Sequence, residues 1–138
     1  MIKDDKIKKI ITESGLRITF QRLLVLKYLA NTDTHPTTEQ IVEYVKKTHP
    51  NISTAAVYNI LDTFVEKGIV KKVITGTAMR YDAITKKHHH IISEENNKVI
   101  DYFDEELNAL IENYIKQKDF NGLEITDYNI QFITKKSI

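Results

Sequence analysis

The sequence predicts an α+β protein, with an N-terminal winged helix-turn-helix domain followed by a small α/β dimerisation domain. Two observations predict it. Apolar residues in the first half recur at helical spacing between well-marked caps and stops, then switch to a period of two on either side of Gly76. The second half alternates short strand-like runs with one amphipathic helix. A third observation adds chemistry to this layout: the run His88-His89-His90 stands between Asp82 and Asp101. We expect domains at 1–83 and 84–138, with a metal site at their junction.

Asp4 or Asp5 can cap a first helix running to Ser14, with Ile7, Ile10 and Ile11 on one face and Gly15 ending it. Thr19 caps a second helix through Ala30, with Leu23, Leu26 and Leu29 in its apolar stripe. Thr37 with Gln40 forms a capping box for a third helix, which Pro50-Asn51 breaks. Ser53 caps a fourth helix through Lys67. Val57, Ile60, Leu61 and Phe64 form its inner face; Thr54, Tyr58, Asn59 and Asp62 form its outer face.

From Ile69 to Ile74 and from Ala78 to Tyr81 the period is that of a hairpin turning at Thr75-Gly76-Thr77. Helices followed by such a hairpin are the pattern in which one helix enters the major groove. Beyond a short polar hinge at 82–87, we expect strands at His89–Ser93 and Val99–Phe103, then a helix at Asp104–Lys118. Two further strands are expected at Leu123–Tyr128 and Ile130–Thr134. So small a second domain buries too little surface to stand alone, so a homodimer is expected.

Composition narrows the function classes. A hydrophobic share of 41% and a charged share of 28% are those of a globular chain. No apolar run approaches the ~20 residues that cross a bilayer. The start, MIKDDKIKKII, lacks the apolar core of a signal peptide. No membrane partner and a cytoplasmic location are therefore expected. The absence of cysteine excludes disulfides and thiolate zinc sites, leaving His and carboxylate as the ligands for any metal. The formal net charge of +1 conceals +4 on residues 1–83 (13 basic, 9 acidic) and −3 on residues 84–138 (7 basic, 10 acidic). A basic first half suits a polyanion.

His88 and His90, two apart, project to one face of a strand. Asp82 and Asp101 can flank them, and His35 lies just before the third helix with Pro36 constraining its backbone. Five mixed N and O ligands suit Fe(II) or Mn(II) better than a closed tetrahedral zinc site. The alternative is that the histidines form a solvated linker and His35 is a loop residue. For DNA, Arg17 in the turn and Arg22 on the second helix can reach phosphates. Thr54, Tyr58 and Asn59 can contact bases and phosphates, Asn in bidentate fashion with adenine. Alternatively Tyr58 is half-buried and Asn59 merely solvated. Lys71, Lys72 and Arg80 on the hairpin would be phosphate contacts at most. Asp104, Glu105 and Glu106 complement the dipole of the helix that they open.

Taken together, Gly15-Leu16-Arg17-Ile18-Thr19, His35-Pro36-Thr37, Val57-Tyr58-Asn59, Arg80-Tyr81-Asp82 and His88-His89-His90 resemble the ferric uptake regulator (Fur) family. The resemblance runs from about residue 12 to 115. It implies a dimeric winged-helix repressor that binds a double-stranded DNA operator when metal is bound. Aspartate at 82 and 101 and asparagine at 59 are similar to the peroxide-sensing, PerR-like branch, because iron sensors tend to carry glutamate and arginine there.

The resemblance implies a regulatory site of His35, Asp82, His88, His90 and Asp101 holding Fe(II) or Mn(II), with Zn(II) also accepted in vitro. It also implies a switch: with iron bound, peroxide oxidises His35 or His90 and the DNA is released. Ser93, Asn96 and Lys135 stand near the places of the family's structural-zinc cysteines, so no structural zinc held by four thiolates is expected. A second metal site is incomplete, with His89 and Glu106 as its only candidates. The nearest rival is an iron-sensing Fur-type repressor of metal uptake genes. A non-haem iron enzyme using His88, His90 and one Asp would need a substrate pocket, for which no segment is spare, so no enzyme is expected. A metal-independent DNA-binding protein is the third reading.

Overall fold

The structure, a computed structural model, describes residues 2–75, 78–83 and 87–138. It divides into two units, Met1–Thr85 and Lys86–Ile138, and each follows from its own local signals.

Unit 1 holds helices α1 (Asp4–Glu13), α2 (Phe20–Ala30), α3 (Thr38–Thr48) and α4 (Thr54–Glu66), then strands β1 (Lys71–Thr75) and β2 (Ala78–Asp82). Three of the four helices start at the caps that the sequence predicts. The Thr19 hydroxyl accepts from Arg22 N at 3.1 Å, and the Ser53 hydroxyl from Ala56 N at 3.0 Å. Thr37 and Gln40 close a reciprocal capping box. Such caps are each worth about 1 kcal/mol.

The first helix differs. Lys3 occupies its N-cap without a side-chain bond, and Asp4 and Asp5 lie inside the first turn. The Asp4 carboxylate instead meets Lys27 of α2 at 2.8 Å, which holds its pKa below the usual carboxylate value. The chain leaves α1 and α4 through Gly15 and Gly68, at φ +79° and +73°, where a side chain would be strained.

Ile7, Ile11, Leu26, Leu29, Ile41, Val45, Val57, Leu61 and Phe64 are fully buried and form one core, closed by Tyr81 of β2. Ile69 and Val70 do not begin the hairpin as expected. Their amides both donate to Phe64 O, finishing α4, and their side chains enter the core. β1 and β2 pair antiparallel from Lys71↔Asp82 to Thr75↔Ala78. Most of the expected Thr75-Gly76-Thr77 turn lies outside the described residues, as does much of the 82–87 hinge.

Unit 2 holds β3 (His89–Ser93), β4 (Val99–Tyr102), α5 (Glu105–Gln117) and β5 (Gln131–Thr134). The sheet order is β4-β3-β5. β3 and β4 are antiparallel with His90 opposite Asp101, whereas β5 lies parallel to β3. A parallel neighbour needs a long return, and α5 lies within it. Asp104 caps α5 through Leu107 N, and this amide with the Tyr102 hydroxyl keeps the Asp104 carboxyl below its ordinary pKa.

The expected strand at Leu123–Tyr128 does not form: the segment joins no ladder among the described residues. β4 and β5 already occupy both edges of β3, and Leu123 and Ile125 remain exposed. Alternation along a segment is not sufficient for a strand, which also needs a partner backbone. No helix among the described residues is long and apolar enough to cross a membrane.

Candidate metal centre

In unit 2, His90 on β3 and His88 just before it lie to one side, and the β3–β4 register sets Asp101 opposite His90. Both Nε2 atoms lie 3.5 Å from the same Asp101 Oδ1. The imidazoles meet edge to face at 4.9 Å, and Phe103 packs on His88 at 5.1 Å. A separation of 3.5 Å is long for a hydrogen bond. It is close to the ~3.4 Å between neighbouring ligands set tetrahedrally ~2.1 Å from one divalent ion. The donor set therefore fits a metal of the Fe(II), Mn(II) or Zn(II) class.

Unit 1 presents a second buried pair. His35 and Asp82 are almost wholly buried, and His35 Nε2 lies 3.7 Å from Asp82 Oδ2. His35 has φ +52° and precedes Pro36. A left-handed non-glycine residue costs on the order of 1–3 kcal/mol and persists only where its surroundings enforce it. β2 enforces it here. Arg80 Nη1 donates to His35 O at 3.0 Å, Tyr81 N donates to Pro36 O at 3.0 Å, and Thr37 bridges to Arg80. Arg80, read from sequence as a phosphate contact, is turned inward instead, with its Nε on Thr75 Oγ1 at 3.0 Å.

His89 points to the opposite side of β3 and is fully buried. Its Nε2–H donates to Asn108 Oδ1 at 2.5 Å, and its Nδ1 accepts from Ile130 N at 3.1 Å. The Tyr128 ring stacks on it at 5.9 Å. Both ring nitrogens are occupied, so His89 is a structural tie and the second metal site loses that ligand. Asn108, the polar residue on the inner side of α5, is the partner that sequence reasoning missed.

Ser93 and Asn96 form another tie. The buried Ser93 hydroxyl donates to Lys136 O at 2.9 Å and accepts from Asn96 N at 3.2 Å, and Asn96 Nδ2 donates to Ile138 O at 3.3 Å. Hydrogen bonds thus fasten the C-terminal segment to the β3–β4 turn where the resemblance would place thiolates.

The outer face of α4 is open: Thr54, Ala55, Tyr58, Asn59 and Asp62 are exposed, Tyr58 at 40%. Beside α4 lies an open cleft of about 450 Å³ lined by Arg17, Thr19, Gln21, Arg22 and Ile60. Arg22 Nη1 donates to Arg17 O at 2.8 Å, ordering this basic turn.

The family model of the ferric uptake regulator family matches residues 13–132. The chain belongs to the ferric uptake regulator family. The peroxide-responsive repressor PerR of Staphylococcus aureus (strain Mu50 / ATCC 700699) is 40% identical over 101 residues, covering 72% of this chain and 68% of that protein. The Campylobacter jejuni peroxide stress regulator superposes with a TM-score of 0.74 at 25% identity, covering 100% of this chain and 98% of that one. The Pseudomonas aeruginosa ferric uptake regulator with manganese gives 0.75 at 21% identity, covering 96% and 98%. This last likeness shows the fold alone. As a member of the Fur family the chain has the expected α+β class, a winged helix followed by a small α/β domain.

Proposed function

We propose that this Fur-family chain is a homodimeric, metal-dependent DNA-binding repressor released by peroxide through oxidation of a histidine ligand. The five residues that match the family's regulatory site, His35, Asp82, His88, His90 and Asp101, would together hold one Fe(II) or Mn(II) ion. The observation that carries the reading is the pair of imidazoles converging on one Asp101 oxygen, in a chain whose winged-helix unit leaves the outer face of α4 open. The 40% identity to a peroxide-responsive repressor supports the peroxide arm.

Bound Fe(II) would supply the electron that cleaves peroxide, which Mn(II) does not. The chain supplies position: β2 holds His35 at its main chain, and β3 aims His90 at Asp101. An oxygen added to either ring would weaken it as a donor. Leu110 and Tyr114 on α5, with Ile133 on β5, are exposed apolar residues on a small unit. A second copy of the chain supplies cover for them.

Peptide mass spectrometry tests the switch after brief peroxide exposure of protein loaded with Fe(II) or with Mn(II). One added oxygen on His35 or His90 is expected in the iron sample alone. An unmodified iron sample of verified occupancy would return the reading to an iron-sensing repressor.

On the DNA side, Asn59→Ala is expected to relax base preference at one position at about 1–3 kcal/mol. Arg17→Ala should instead weaken binding to all sequences alike and lower the salt slope by about one. Binding measured across a panel of duplexes at several salt concentrations separates the two. Equal, sequence-independent losses from both variants would remove Asn59 from the reading surface.

A further inference from the structure

We propose that Arg80 is a positioning residue for the metal ligand His35, rather than a DNA phosphate contact, and that it couples this ligand to the wing hairpin. The inference rests on the reading of His35 as a ligand and deepens it. Arg80 and Asp82 are two apart on β2 and project to the same side of the strand. One holds the main chain of His35 through Nη1 to the carbonyl; the other faces its imidazole. β2 thus controls both ends of a single residue.

The constraint is needed because of where His35 sits. It is left-handed, precedes a proline, and lies two residues before the Thr37 N-cap of α3, so the extended backbone that residues before proline favour is open to it once the carbonyl is released. An imidazole that swings with its backbone is a poorer ligand, and residues that orient ligands govern affinity almost as strongly as the ligands do. The planar guanidinium suits this task, since its forked donors can hold two acceptors at once. The second acceptor is Thr75 Oγ1, on the neighbouring strand at the far end of the wing from Asp82. Thr75 is itself buried, so Arg80 makes a short continuous link from wing strand β1 to the His35 main chain. Displacement of His35 from the ion would be felt first by this link.

The test is a double-mutant cycle on the full chain, reading Mn(II) affinity by calorimetry, with circular dichroism of the metal-free protein reporting the fold. Arg80→Ala is expected to weaken Mn(II) binding roughly 10- to 100-fold. In a His35→Ala background the same change should add little, because the ligand that it positions is gone. Arg80→Lys, which keeps the charge but not the planar fork, covers the case in which the alanine variant fails to fold. It should lose an intermediate amount, while Lys72→Ala, on the other face of the same hairpin and beside Asp62, should leave Mn(II) affinity unchanged.

Wild-type Mn(II) affinity in folded Arg80→Ala or Arg80→Lys, with a reduced salt slope for DNA, would overturn the proposal in favour of a phosphate contact. An equal loss with and without His35 would overturn it too, since Arg80 would then act elsewhere. Undiminished affinity in His35→Ala alone would instead remove the ligand reading on which the proposal stands.

Discussion

Replacing Asp101 by Ala is expected to abolish metal-dependent DNA binding while leaving the fold in place. Asp101 Oδ1 is the point on which His88 and His90 both converge, at 3.5 Å each. Its loss removes one of the two carboxylate ligands and leaves His88 and His90 without the oxygen on which they converge. The drop in Mn(II) affinity should exceed the roughly 10- to 100-fold typical of losing an outer-shell partner. The strand survives because its ladder is made by backbone: the antiparallel pairing from His89↔Tyr102 to Ile92↔Val99 does not use the Asp101 carboxylate.

Calorimetry with Mn(II), followed by duplex binding with and without the ion, checks both halves. Mn(II)-dependent DNA binding at wild-type strength in the variant would eliminate Asp101 as a ligand.

His89→Ala, one residue along from His88, is expected to do the reverse: destabilise the protein heavily with no direct effect on ligation. The imidazole is fully buried and bonded at both nitrogens, to Asn108 Oδ1 and Ile130 N, so truncation leaves a cavity as well as two partly buried polar groups without their partner. These terms together amount to about 3–5 kcal/mol. That is a large fraction of what a domain of this size can spare. Asn108→Ala, which removes one of the two bonds, should cost less, about 1–3 kcal/mol.

Urea unfolding gives both values, and Mn(II) affinity measured under conditions where the variant is still folded gives the control. Lost affinity in folded His89→Ala, with little loss of stability, would make His89 a ligand after all.

The contrast between these neighbours was only partly legible. Three consecutive histidines on a strand must alternate sides, so the pairing of His88 with His90 could be read from the period of two. That Asp101 faces His90 could not, because it depends on the register of β3 against β4, and a slip of one residue would have turned Asp101 away. The occupant of the other side was equally hidden. Asn108 reaches His89 across nearly twenty residues of chain, and nothing local to either residue signals the other. The inward turn of Arg80 was hidden for the same reason. A basic residue on a hairpin has no local cue to distinguish a solvent-facing phosphate contact from a guanidinium folded back onto His35 O. The strand expected at Leu123–Tyr128 failed in a different way: its alternation was real, but the segment pairs with no strand among the described residues.

What the sequence determined by itself was therefore whatever short-range physics decides. Thr19, Thr37 and Ser53 each start a helix because a hydroxyl can reach an amide two or three residues on. Gly68 ends one because its backbone tolerates positive φ. The residue types of the metal set follow from composition, since a chain without thiols has only imidazole and carboxylate to offer.

Tertiary structure alone decided which atoms meet: Nε2 of two histidines on one Asp101 oxygen, Arg80 on the His35 carbonyl, and Asn108 on His89. Those contacts join residues distant along the chain. Their geometry is set by strand register and by how the core packs, and neither is a property of any local window of sequence.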